Sequence, residues 1–254
     1  MTVEQIYQVI DTIAPFSESM SFDNTGILVG DPQAEVTDAV LCLDVTPRIL
    51  REAVECGAQL IISHHPVIFD PLRTVRNDTV VYALVQSGVA VISAHTNLDK
   101  AFPYGVNHAL ADALGLQNIH GLLPDGSGYI GYAGELAEEK TAEEFGAQVK
   151  EALGLSMLRY TPTNRMIRSV CVVGGAGGEY AAEAAKCGMD AFVTGEVKQH
   201  EAVAARACGL ALYEAGHYHT EIIYRQMLAE VLRERCPGVQ FRIAKNERPP
   251  MEVL

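Results

Sequence analysis

Two stretches far apart in this chain carry the same pattern. Residues 52–65 read EAVECGAQLIISHH and residues 183–196 read EAAKCGMDAFVTGE. Each closes a helical pattern at Cys-Gly, crosses a short apolar strand and stops on polar residues. Glycine just past a helix takes the left-handed conformation without steric cost. Upstream, Val40-Leu41-Cys42-Leu43 corresponds to Val170-Cys171-Val172-Val173 as a buried strand. Downstream, Gly88-Val89-Ala90-Val91-Ile92 corresponds to Gly209-Leu210-Ala211-Leu212-Tyr213. Any one match is common in α/β chains, so the order of several carries the reading. Strand, helix, strand, helix, strand occurs twice, which predicts an α/β fold with mainly parallel sheets. The expectation is two similar α/β domains from an internal duplication, residues 1–125 and 126–254. The boundary is placed at residues 122–128, the clearest Pro/Gly/Ser turn cluster. Thr141 and Glu144 form a capping-box signature for a helix that Gly154 stops.

The ends of the apolar runs carry the chemistry. Ser63-His64-His65-Pro66 follows Leu60-Ile61-Ile62, and His95-Thr96-Asn97-Leu98-Asp99 follows Val89-Ala90-Val91-Ile92. Gly216-His217-Tyr218-His219-Thr220-Glu221 opens a helical pattern continued by Ile222, Ile223, Met227, Leu228, Val231 and Leu232, with Cys236-Pro237-Gly238 as its end. Imidazole and carboxylate are the ligands of zinc, iron and manganese. Ligands of open parallel sheets gather beyond the carboxyl ends of strands, where His64, His65 and Asp99 fall. Adjacent histidines on an extended segment point to opposite sides, so they suit two metals, or one metal and one structural role. His217 and Glu221, four apart, share a helix face. Five such donors exceed a single zinc site and suit a dinuclear centre with a bridging carboxylate. By helix angle His219 points elsewhere, and His108, His120 and His200 lack this context. The run Gly174-Gly175-Ala176-Gly177-Gly178 reads either as a phosphate cradle or as a tight turn.

Composition narrows the partners. With 48% apolar and 20% charged residues the chain can bury a large core. A formal net charge of −13 opposes nucleic acid and anionic lipid. It also opposes a nucleotide substrate, unless a bound cation reverses the local sign. The six cysteines form no Cys-x-x-Cys pair, the start lacks a signal-peptide pattern, and no apolar run reaches membrane-spanning length. A cytoplasmic location is the expectation.

Taken in order, Ser21-Phe22-Asp23-Asn24-Thr25-Gly26-Ile27-Leu28-Val29-Gly30, SHHP, Asn97-Leu98-Asp99, Thr194-Gly195-Glu196 and GHYHTE resemble the family of GTP cyclohydrolase I type 2 homologues, which includes the NGG-interacting-factor-three-like proteins. The resemblance runs along nearly the whole chain. It implies two similar α/β domains with the site in the cleft between them, and a toroidal homo-hexamer. It also implies two divalent ions per chain on His64, His65, Asp99, His217 and Glu221, with Glu221 as the bridge. The Tyr-His within GHYHTE departs from many relatives and leaves open which histidine binds. The family name implies opening of the GTP imidazole ring, a metal-dependent hydrolysis of a nucleotide-like ligand. In that reading His95 shuttles a proton or only buttresses Asp99, and Glu196 is a general base or an acceptor that orients a ligand histidine. A non-catalytic, metal-dependent scaffold is the alternative. A phosphoesterase is a third reading, weakened because Ser63 stands where that chemistry places Asp before His-His.

Overall fold

The computed structural model describes residues 1–252. The chain opens with α1 (Val3–Ile13), where Thr2 and Gln5 exchange the two bonds of a capping box. Val3, Ile6, Ile10 and Ile13 are buried at the spacing of one helix face. There follow β1 (Gly26–Val29), β2 (Asp38–Cys42), α2 (Pro47–Glu55), β3 (Leu60–Ser63), α3 (Val80–Ser87), β4 (Ala90–Ser93) and α4 (Thr96–Lys100). Thr46 caps α2 with Pro47 in its first turn, where a missing N–H costs nothing. The apolar runs that lead from a glycine to the histidines are the strands β3 and β4, buried along their whole length.

The next stretch holds α5 (Val106–Ala113), β5 (Gln117–Asp125), β6 (Gly128–Lys140), α6 (Ala142–Ala152), β7 (Arg159–Tyr160), β8 (Ile167–Val173), α7 (Ala181–Lys186), β9 (Ala191–Thr194), α8 (Gln199–Cys208), β10 (Ala211–Glu214) and α9 (His217–Glu221). The chain then adds α10 (Tyr224–Arg235) and β11 (Gln240–Ile243). As expected, Thr141 and Glu144 close a capping box on α6.

Contacts divide the chain into two units. One is Met1–Tyr104 with Arg225–Arg248; the other is Gly105–Tyr224 with the segment from Pro249. The turn at Asp125-Gly126 that the sequence marks as a boundary instead joins β5 to β6 in one hairpin inside the second unit. The first unit draws on both ends of the chain, which no local turn signal reveals.

In the first unit the sheet order is β1-β4-β3-β2-β11. Strands β4, β3, β2 and β11 run parallel, and β1 pairs antiparallel with β4. Its core joins Val40, Ile61 and Val91 from the strands to Ile49, Leu50 and Leu84 from α2 and α3.

In the second unit the order is β5-β6-β8-β9-β10-β7. Here β8, β9 and β10 are parallel, while β5, β6 and β7 enter antiparallel. This sheet is mixed rather than mainly parallel, because the long β5–β6 hairpin extends it past β8. Its core gathers Tyr132, Phe145, Val170, Val193 and Tyr213. Both units contain the order strand–helix–strand–helix–strand with parallel strands, β2 to β4 and β8 to β10. Gly57 and Gly188 take the left-handed conformation after the Cys-Gly helix ends, with φ of 73° and 82°.

The helix expected to run on from His217 is two helices. Regular helix lapses at residues 222–223, just before the chain passes from the second unit to the first between Tyr224 and Arg225. All six cysteines are free thiols. Among the described residues no helix is long and apolar enough to cross a membrane.

Candidate metal centre

The first unit brings four of the expected residues together. His64 and His65 follow β3 directly, and their backbone N–H groups bond successive carbonyls of the β2 side, Cys42 and Leu43. A regular strand alternates its bonds between two neighbours, so the period of two ends here. The two rings therefore do not point to opposite sides as the sequence predicted: their centres lie 5.2 Å apart. His95 joins them, 5.0 Å from His64 and 5.5 Å from His65. One nitrogen from each of His64, His65 and His95 lies within 4.8 Å of the others, which forms a set able to hold a metal ion. Asp99 sits on α4, four residues after His95, with Oδ1 3.5 Å from His64 Nε2.

Each of these rings is held by its Nδ1. His64 Nδ1 meets Ala94 O at 3.0 Å, His65 Nδ1 meets Asp44 Oδ1 at 2.9 Å, and His95 Nδ1 meets Asp23 Oδ1 at 2.9 Å. An imidazole that donates from Nδ1 to such an acceptor keeps the Nε2 lone pair for a metal, with tautomer and orientation fixed. Ser63 Oγ shapes the turn by donating to His65 O and pairing with Ser93 Oγ. Asp23 also accepts from Thr96 N and Oγ1. Burial pushes its carboxyl up, but the hydrogen bonds from His95 and Thr96 outweigh burial and draw it down to about 2.

The second unit assembles the other donors on α9. His217 Nε2 lies 3.1 Å from Glu221 Oε2, and Glu196 Oε1 takes His217 Nδ1 at 2.7 Å. The same arrangement, Nδ1 tethered and Nε2 toward a donor partner, appears a fourth time. Glu221 is buried. The glycine run lies against it. A Cβ on Gly175 would run into Glu221 Oε1 and approach His217 Nε2 to 3.3 Å, and φ there is +61°. A Cβ on Gly195 would meet His217 N at 2.8 Å. Backbone without side chains is thus the floor on which the carboxylate and imidazole rest.

That floor is not a phosphate cradle. Gly174 N donates to Asn107 Oδ1, Gly175 N to Thr220 Oγ1 and Gly177 N to Thr194 Oγ1. Of the two readings of this run, the structure selects the turn. His219 packs edge-on to Tyr218. It stands outside the groups of described residues able to hold an ion, as do His108, His120 and His200.

Sequence reasoning missed Asp23 and Asp44 as orienters of histidines. Asp44 had a signal: it follows the apolar run of β2 just as His64 follows β3. Asp23 lies in a segment whose role no spacing reveals, 72 residues from its partner His95.

The donor set fits a divalent metal by its chemistry: four imidazoles aimed by Nδ1 acceptors, with a carboxylate at Nε2 of His64 and of His217. Comparison with known proteins agrees on the fold. A family model described as Duf34/NIF3 (NGG1p interacting factor 3) matches residues 1–250. A Clostridium perfringens protein named GTP cyclohydrolase 1 type 2 homolog is 32% identical over 100% of both chains. A Helicobacter pylori protein named GTP cyclohydrolase 1 type 2 is 32% identical over 99% of both. The crystal structure of a Staphylococcus aureus hypothetical protein superposes with a TM-score of 0.92 at 28% identity, covering 100% of this chain and 99% of that one.

Proposed function

Because this chain belongs to the Duf34/NIF3 family, we propose that it is a metal-dependent hydrolase with a dinuclear centre. His64, His65, Asp99, His217 and Glu221 would hold the metal, with Glu221 as the bridge. The observation that carries the reading is the repeated tether: four histidines, each fixed through Nδ1. Structural histidines have no need to be fixed through Nδ1 in the same sense four times. Two bound divalent ions, of zinc, iron or manganese, would lower the pKa of a bound water and polarise the attacked centre.

The chain's own residues have separable roles in this scheme. Asp44, Asp23 and Glu196 aim His65, His95 and His217. Glu196 is therefore an orienting acceptor rather than a free base, since its Oε1 is engaged by His217. His95 holds Nε2 beside His64 and His65, placed either to donate to a metal or to carry a proton from the substrate. Opening of the GTP imidazole ring is the leading specific reaction, following the relatives' names. The assembly is a homo-hexamer and the compartment the cytoplasm. The repeated strand–helix order supports descent of the two units from one duplicated ancestor.

One observation favours the scaffold alternative, in which metal holds the assembly without turnover. The glycine run offers no cradle for the phosphates of a nucleotide. Metal analysis of purified protein, coupled to assays on GTP and simple phosphoesters, separates the two. The hydrolase reading requires about two ions per chain, metal-dependent turnover, and loss of most metal in Glu221→Ala. Full metal occupancy in Glu221→Ala refutes the bridging assignment. Inert, metal-replete protein that dissociates on chelation establishes the scaffold.

A further inference from the structure

Two of the chain's seven phenylalanines stand in solvent beside the first donor set. Phe22 is 61% exposed and Phe69 47%. They pair with each other, ring centres 6.3 Å apart and planes tilted by 46°, and Phe69 lies 6.4 Å from the His95 ring at 77°. The tilt leaves the two rings as an open corner.

These rings are tied to the donor residues. Asp23, next to Phe22, holds His95 Nδ1 and both Thr96 N and Oγ1. Asn24 Nδ2 donates to Ile68 O, the residue before Phe69, at 2.6 Å. Thr96 Oγ1 in turn accepts from Met20 N. The segment Phe22-Asp23-Asn24 therefore fixes three things at once: the His95 ring, its own aromatic ring, and the loop that carries Phe69. Exposed apolar side chains that merely cover surface need no such tether. Aromatic faces held in place next to a polar reactive group are what a planar ligand requires, since stacking gives affinity only when the face is already positioned.

We infer that Phe22 and Phe69 form a stacking wall that seats a planar heteroaromatic ring beside His64, His65 and His95. The inference rests on the proposed function in taking the donor set as the place where a small ligand is handled. It adds the residues that select the ring of that ligand. A ring lying on one phenylalanine face meets the other at the 46° tilt between them, and a substituent on it reaches toward the histidines. A ligand without an aromatic ring gains nothing from the wall.

The test uses the metal-loaded, full-length protein with guanosine as the aromatic probe and ribose 5-phosphate as the non-aromatic one, both read by calorimetric titration. Phe22→Ala and Phe69→Ala should each weaken guanosine binding about tenfold, the scale of one lost stacking partner. Phe69→Leu, which keeps an apolar side chain without a π face, should weaken it as well, and Phe69→Tyr should retain it. Ribose 5-phosphate binding and metal content should match the parent in all four. Absence of guanosine binding to the parent overturns the inference, as does an unchanged dissociation constant in the alanine variants. A change of oligomeric state with guanosine binding intact also overturns it, by assigning the rings to assembly. Phenylalanine-dependent guanosine binding without turnover keeps the wall and removes the hydrolase. Hydrolysis of a simple phosphoester by the parent, with no guanosine binding to the parent, removes the wall and keeps the hydrolase.

Discussion

The two donor sets solve one problem in opposite ways. In the first unit the histidines come from the ends of β3 and β4, and their orienters lie on other segments: Asp23 before β1, Asp44 after β2. In the second unit both donors sit on the five-residue helix α9, and what encloses them is glycine backbone. The first arrangement depends on side chains converging from afar. The second depends on side chains being absent. The first should therefore fail when a polar group is deleted, and the second when a methyl group is added.

The sharpest break of that contrast is Asp23→Ala. It strands the His95 ring and both Thr96 donors in a buried setting, where each unsatisfied group costs about 1–3 kcal/mol. A loss of roughly 3–5 kcal/mol in denaturant unfolding is expected, together with reduced metal content. Wild-type stability in this variant would mean the tether is decorative. Next comes Gly175→Ala, which combines a positive φ with a collision at Glu221. Its expected cost is about 2–3 kcal/mol, with metal lost from the α9 donors. An alanine variant as stable and as metal-rich as the parent would show that the glycine floor tolerates a side chain.

A smaller effect is expected for Glu196→Gln. Glu196 is 60% exposed, so solvent can replace part of its bond to His217. Metal affinity should fall by about tenfold, the low end for an orienting carboxylate. Competition with a chelating dye measures it, and a drop well beyond about a hundredfold would place Glu196 among the ligands themselves. The smallest effect is on acid stability. Asp23 ionises more easily in the folded chain than its ordinary value of 3.8, at about 2. A carboxyl with a depressed folded pKa stabilises the fold above its unfolded pKa, and that stability disappears as pH falls through the folded value. The metal-free parent should lose stability more steeply than Asp23→Asn between pH about 4 and 2, as followed by circular dichroism. Parallel curves would remove the carboxylate from the account.

The same contrast explains what the sequence made legible. His217 and Glu221 are readable because an i,i+4 pair is a local fact. His64, His65 and Asp99 can be singled out as candidates because ligand-type residues follow apolar runs that mark strand ends in an α/β sheet. Asp44 went unread because an aspartate after a strand looks like any turn residue. In the sequence the glycine run stays open between cradle and turn, because spacing does not say where N–H groups point. Asn107, Thr194 and Thr220 decide that, and they come from three separate elements. The duplicated order was visible, but the unit boundaries were not: β11 returns to pair with β2 from nearly the opposite end of the chain.

That return sets a clock on synthesis. The Glu247 carboxylate accepts from Leu43 N and Asp44 N, with Arg225 as its ion-pair partner. Asp44 in turn holds His65. Chains emerge from the ribosome amino end first and fold as units complete. The stretch from Gly105 to Tyr224 leaves the ribosome whole while the earlier unit still lacks β11 and Glu247. The unit begun first is thus finished last, and the turn that aims His65 gains its buried support only when the carboxyl-terminal residues arrive. A metal ion offered to the His64–His65 pair would meet the fully supported turn only after Glu247 has emerged.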